Sequence, residues 1–185
     1  MIEVEMKFPL DDVDAFTVRL AQVQPTLIGQ RDESDEYFQA PDRDFAATDE
    51  ALRIRRVGDI TYLTYKGPKL DAVTKTRKEV QIRLDDGPLA ADLAGALLRA
   101  SGYEPALTVV KSRQVFAVDL GRFRAEVCLD RVQNLGDFVE IEVAAEPGQV
   151  DEARRAVQSL AETLGLSGSE RRSYLELLLA KRSQG

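Results

Sequence analysis

The chain has 185 residues, 44% of them hydrophobic and 31% charged, which is enough apolar material for one medium domain with a sizeable core. Its formal net charge of -7 argues against sequence-independent nucleic-acid binding, which needs a basic surface. One cysteine, Cys128, permits neither an internal disulfide nor a zinc site, and the absence of histidine removes the commonest general base, every Ser-His or Cys-His pair and the commonest metal ligand. Any metal must then be held by oxygen, which favours magnesium or manganese. With no leader-like segment and no long apolar run, the cytoplasm is the expected compartment.

In chain order the pattern is α+β. A strand over 1–9 alternates charge with apolar side chain, so Glu3, Glu5 and Lys7 share one face and Val4, Met6 and Phe8 the other. After Pro9, Asp11-Asp12 starts a helix whose apolar stripe is Val13, Phe16, Leu20 and Val23, ending before Pro25. Strands are expected at 27–39 and, after the turn-rich segment Ala40-Pro41-Asp42-Arg43-Asp44, at 51–57. Gly58-Asp59 makes a hairpin turn into 60–67, Gly67-Pro68 breaks the chain, and a strand runs over 75–84. A helix over 89–101 closes at Gly102. Strands return at 107–119, 122–130 and 137–145, and helices follow at 149–164 and 169–182. No repeat, low-complexity tract or linker interrupts the chain, so one domain is expected over 1–185.

The strand faces carry the functional argument. Arg53 and Arg55 share a face opposite Ile54; Thr64 and Lys66 share one. Arg77, Glu79, Gln81 and Arg83 lie opposite Val80, Ile82 and Leu84, and Lys111 pairs with Arg113. Arg124, Glu126, Cys128 and Asp130 lie opposite Val127 and Leu129; Glu140 and Glu142 lie opposite Val139, Ile141 and Val143. Two placements fit. In one, the charged faces are solvated around a sandwich core. In the other, the sheet curls so that charged faces line a polar cavity and amphipathic helices cover the apolar outside. Acids concentrate on the first and last strands and bases on the middle ones. A cavity with an acidic and a basic wall suits a polyphosphate with its divalent metal.

In Glu3-Val4-Glu5-Met6-Lys7 the chain resembles the CYTH superfamily, or triphosphate tunnel metalloenzymes, whose signature is Glu-x-Glu-x-Lys. The resemblance extends in order through Leu52-Arg53-Ile54-Arg55, Tyr65-Lys66-Gly67-Pro68, Thr76-Arg77-Lys78-Glu79, Lys111-Ser112-Arg113, Glu126-x-x-x-Asp130 and Phe138-Val139-Glu140-Ile141-Glu142. The segments 42–46 and 48–53, Leu135-Gly136-x-Phe138 and the tail Arg172-Ser173-Tyr174-x-x-Leu177-Leu178 look most like the class IV adenylyl cyclase branch.

The resemblance implies a closed antiparallel β-barrel, a tunnel with a charged interior and helices packed outside. It implies that Lys7, Arg53, Arg55, Lys66, Arg77, Lys111 and Arg113 grip phosphate oxygens, with Lys7, Arg53, Lys66, Lys111 and Arg113 carrying the catalytic charge stabilisation. Glu3, Glu5, Glu126, Asp130, Glu140 and Glu142 are the implied ligands for one or two Mg2+ or Mn2+ ions. Glu79 is expected to orient a basic neighbour or a metal-bound water. Cys128 is expected to fill space inside the barrel, and Tyr37 and Phe38 to be core. Arg43 and Phe45 are candidates for nucleotide contact or for bracing a turn. The implied reaction is cyclisation of ATP to 3',5'-cyclic AMP and pyrophosphate. The alternatives are an inorganic or thiamine triphosphatase, and a non-catalytic polyphosphate- or nucleotide-binding module. The implied partner is ATP or another triphosphate, with no nucleic acid or membrane, and a homodimer is compatible with the apolar helices.

Overall fold

A computed structural model describes residues 2–69 and 77–183. The expected strand start at 75–76, including Thr76, lies outside the described residues, as does Met1. The strands are β1 (Ile2–Leu10), β2 (Thr26–Gln39), β3 (Ala51–Val57), β4 (Ile60–Lys69), β5 (Arg77–Arg83), β6 (Glu104–Leu120), β7 (Phe123–Val132) and β8 (Gly136–Ala145). The helices are α1 (Val13–Gln22), a single turn α2 (Phe45–Thr48), α3 (Pro88–Ala100), α4 (Val150–Thr163) and α5 (Tyr174–Arg182). The strands close a barrel in the order β1-β5-β4-β3-β2-β6-β7-β8, every described pair antiparallel. This is the second of the two placements. The charged faces point inward, and α1, α3 and α4 cover much of the apolar outside, although Val80 and Ile82 of β5 stay half exposed.

Local chemistry sets these elements. Asp12 caps α1 by accepting from the Ala15 amide at 2.9 Å, and Phe16 and Leu20 turn to the barrel. With α4 they bury the outer side chains of β1, β7 and β8, among them Val4, Phe8, Val127 and Ile141. α3 lays Ala91 on Phe38 and Ile54. Gly58, at φ 57°, turns β3 into β4 as its position predicts. β6 starts earlier than expected because its N-terminal residues still pair with β2, and Phe38↔Pro105 sits at a register shift, where a residue without an N–H is tolerated.

The last helix differs from expectation. It begins at Tyr174, five residues later than the spacing suggests. Gly168 is left-handed at φ 70°, and the Glu170 amide donates to the Lys7 carbonyl at 2.7 Å, so this stretch is tied to β1 and is not helical. Ser173 and Glu176 then form a reciprocal capping box at 3.1 and 2.6 Å. α5 lies across one end of the barrel. Its Tyr174 and Leu178 pack on Tyr37, Leu107, Val109, Val132 and Phe138, residues with the same strand parity as the charged interior. An apolar plug thus ends the polar interior on that side.

Candidate functional site

The barrel encloses a cavity of about 210 Å³. β1 contributes Glu3 and Glu5, β3 Arg53 and Arg55, β4 Lys66, and β5 Arg77 and Glu79. β6 contributes Lys111 and Arg113, β7 Glu126, and β8 Glu140 and Glu142. Eleven of the thirteen residues singled out from the sequence therefore line one cavity; Lys7 and Asp130 do not.

The acidic wall is built by register. Glu126 lies opposite Glu142, and Glu142 opposite Glu5, so three carboxylates stand in a row across β7, β8 and β1. Like charges directly opposed across a ladder repel. Burial lifts the Glu142 carboxyl to about 8 despite Arg113, with Glu3, Glu140 and Glu5 adding to the rise. Burial likewise raises Glu3 against the pull of Lys66, and Glu5 and Glu79 reinforce it. The ligand atoms of Glu126, Cys128 and Glu142 lie within 4.8 Å of one another. Burial and the neighbouring Glu142 push the Cys128 thiol well above its usual range, so it stays neutral in the wall. A crowded, oxygen-dominated donor set fits a hard divalent ion.

The basic wall is clamped from behind. Asp35 on β2 accepts from Arg55 Nε and Nη2, both at 2.7 Å, and from Arg53 Nη1 at 3.1 Å. Glu33, almost fully buried, faces Arg55 at 3.1 Å, Lys111 at 3.4 Å and Arg31 at 2.6 Å. Lys66 bridges Glu3 at 3.1 Å and Glu79 at 2.7 Å. The buried Arg53 Nε has no hydrogen-bond partner among the described residues, a donor held ready for an oxygen.

Asp130 belongs to this clamp. It is fully buried and accepts from Lys111 Nζ at 2.9 Å, Arg113 Nε and Nη2 at 2.6 and 2.5 Å, and the Tyr174 hydroxyl at 2.9 Å. Burial, with Glu140 and Asp130 nearby, raises the Tyr174 phenol well above its usual range, keeping it a donor. Glu140 also accepts from Arg113. Lys7 is set back at the plug, its ammonium donating to the Arg172 carbonyl and lying 4.1 Å from the Tyr174 ring centroid.

Sequence reasoning did not single out Arg31, Glu33 and Asp35, nor the cavity contacts of Tyr37, Ser173 and Tyr174. Arg43 and Phe45 do not line the cavity. Arg43 Nε and Nη2 donate to Glu50 at 2.9 and 3.1 Å, and Phe45 is buried beside Tyr103, so both brace the loop between β2 and β3.

The clamp predicts an acid-labile fold. Burial alone would raise the Glu33 carboxyl, but Lys111, Arg55 and Arg113 hold it at about 2, and Arg53 and Arg55 likewise overcome burial to hold Asp35 low. A depressed carboxyl lends stability that is full above its unfolded value and is lost as pH falls through its folded one. For Glu33 that window runs from the ordinary 4.5 down to about 2, and the contribution at stake is on the order of 3 kcal/mol. Thermal melts at about pH 5 and about pH 3 should show a steep loss in the wild type and a shallower one in Glu33→Gln; equal slopes would contradict this.

Among the described residues no helix is long and apolar enough to cross a membrane. A family model for the CYTH domain matches residues 1–174. A protein of Aeromonas hydrophila named adenylate cyclase CyaB is 35% identical over 181 residues, covering 95% of this chain and 87% of that protein. A protein of Methanocaldococcus jannaschii named "Putative adenylate cyclase MJ0240" is 32% identical over 180 residues, covering 96% and 98%. The structure of the PH1819 protein of Pyrococcus horikoshii OT3 superposes with a TM-score of 0.86 at 38% identity, covering 97% of this chain and 99% of that one. With the family model spanning nearly its whole length, the chain belongs to the CYTH family.

Proposed function

We propose that this barrel binds ATP with magnesium or manganese and converts it to 3',5'-cyclic AMP and pyrophosphate. The observation that carries the reading is the row Glu126, Glu142, Glu5 facing a wall of clamped arginines and lysines inside one closed barrel. The adenylate cyclase names of two relatives more than 30% identical support the cyclase over its alternatives.

Charge balance explains why metal belongs to the reading. Counting Lys7 with the seven basic residues of the lining, and Glu33, Asp35 and Asp130 with its six acids, the described interior holds eight basic and nine acidic side chains. Such an interior has no surplus for a triphosphate, which brings several negative charges. Glu3, Glu5, Glu126 and Glu142 would hold the metal, which supplies Lewis-acid charge and polarises a phosphate oxygen when bound. Glu140 and Asp130, engaged by Arg113, serve as orienting partners of the bases.

Arg53, Arg55, Arg77 and Arg113 hold phosphate oxygens by their planar forks, while Lys66 and Lys111 act as point charges. The ribose 3'-oxygen forms a bond to the α-phosphorus as the bond to pyrophosphate breaks. The arginines stabilise the departing charge, already positioned by the carboxylates behind them. With no histidine, the hydroxyl proton passes to a carboxylate, a lysine or solvent.

One observation favours a second reading, hydrolysis of a terminal phosphate by a triphosphatase. Apart from Tyr37, Ala51 and Tyr174, the described lining is polar or charged, a surface that reads phosphate and offers little to a purine. Incubation with ATP and, separately, with tripolyphosphate, each with magnesium or manganese, decides between them. Cyclic AMP with pyrophosphate is the expected outcome. Orthophosphate without cyclic AMP would establish the triphosphatase, and metal-dependent binding without product would leave a binding module.

A further inference from the structure

We infer that Arg31 grips the outermost phosphate of the substrate at the rim of the cavity, so that it reads the length of the polyphosphate; this rests on the triphosphate reading above. Arg31 lines the cavity from β2 and lies directly opposite Arg113 on β6. Two guanidiniums facing each other across a ladder repel, and an anion between them removes the conflict.

The neighbours of Arg31 on the basic wall are each shared between two acids. Arg55 is shared by Asp35 and Glu33, Lys111 by Glu33 and Asp130, and Arg113 by Asp130 and Glu140. Among the described residues Arg31 has one acid, Glu33, met through Nε at 2.6 Å. Among the described residues its two Nη groups make no hydrogen bond, so the end of its fork is available. Glu33 is also divided between Arg55 and Lys111, which weakens its hold on Arg31.

Exposure separates Arg31 from the rest of the wall. Its side chain is 37% exposed, against 12% for Arg55, 5% for Arg113 and 3% for Lys111. The buried bases are placed for inner phosphates and Arg31 for one that reaches the rim. A guanidinium pivoting on Nε can present both Nη groups to such a phosphate in the bidentate geometry that arginine favours.

The test is calorimetric titration of wild type, Arg31→Ala and Arg31→Lys with tripolyphosphate and with pyrophosphate, in magnesium, beside thermal melts of each. Arg31→Ala should weaken tripolyphosphate at least about tenfold, the effect of losing a charged hydrogen bond. Pyrophosphate, which the inner bases hold without the rim, should be nearly unaffected. Arg31→Lys should recover part of the loss, a point charge without the fork. Melting should not change, since Glu33 keeps two cations. Equal loss for both polyphosphates, or no loss, would overturn the role. If the wild type takes no tripolyphosphate, the triphosphate reading fails and this role with it.

Discussion

Replacing Glu142 by Gln should cut metal-dependent turnover about 100-fold or more, and the protein should melt at or above the wild-type temperature when no metal is present. Both follow from the row of carboxylates. Glu142 stands between Glu126 and Glu5 on neighbouring strands, with Glu3 and Glu140 also nearby. Where Glu142 is ionised, at and above its raised value of about 8, removing its charge relieves a repulsion that folding must otherwise bear, because like charges opposed in a sheet destabilise it. The same change takes the charge, and one of two carboxylate oxygens, from the set that fits a divalent ion. Activity and stability thus move in opposite directions, as expected of a site held under electrostatic conflict. Turnover, Mn2+ binding by titration and a metal-free melt check all three parts. A variant that binds Mn2+ as tightly as wild type would remove Glu142 from the metal set.

Asp130→Asn should behave in the opposite manner. Its carboxylate is fully buried and takes hydrogen bonds from Lys111, Arg113 and Tyr174. Neutralising it leaves a buried ammonium and guanidinium short of a counter-charge, which costs about 3–5 kcal/mol. Denaturant unfolding should show that loss. Mn2+ affinity should stay near wild type, since Glu3, Glu5, Glu126 and Glu142 remain. Tripolyphosphate affinity should fall, because Lys111 and Arg113 lose their fixed position. A stable Asp130→Asn protein that no longer binds Mn2+ would instead make Asp130 a metal ligand, as the family resemblance implies.

These two acids show where a linear reading stops. Glu142 and Asp130 look alike in sequence, each an acid on the inward face of a strand. Their difference comes from register. β8 and β1 set Glu142 among carboxylates, whereas β6 sets Arg113 directly across from Asp130 and the docking of α5 brings Tyr174 to it. The two faces of β1, β7 and β8 were legible because charge alternates there with large apolar residues, but that alternation fitted a sandwich as well as a barrel, and only the family resemblance implied that the charged face looks inward. β2 does not. In Arg31-Asp32-Glu33-Ser34-Asp35-Glu36 both faces are polar, and alternation gives nothing to choose between them. The acids that clamp the basic wall, and Arg31 with them, were hidden for that reason. The late start of α5 was hidden too, because the tie from Glu170 to Lys7 is a backbone hydrogen bond that no side-chain pattern announces.

The central claim is that one wall holds metal and the other holds a triphosphate inside the same barrel. A crystal grown with Mn2+ and tripolyphosphate, measured for anomalous scattering, tests it most directly. The account predicts an Mn2+ peak among Glu3, Glu5, Glu126 and Glu142, with phosphate density against Arg53, Arg55, Lys66, Lys111 and Arg113. Mn2+ bound only outside the barrel, or a barrel without phosphate at saturating ligand, would contradict it.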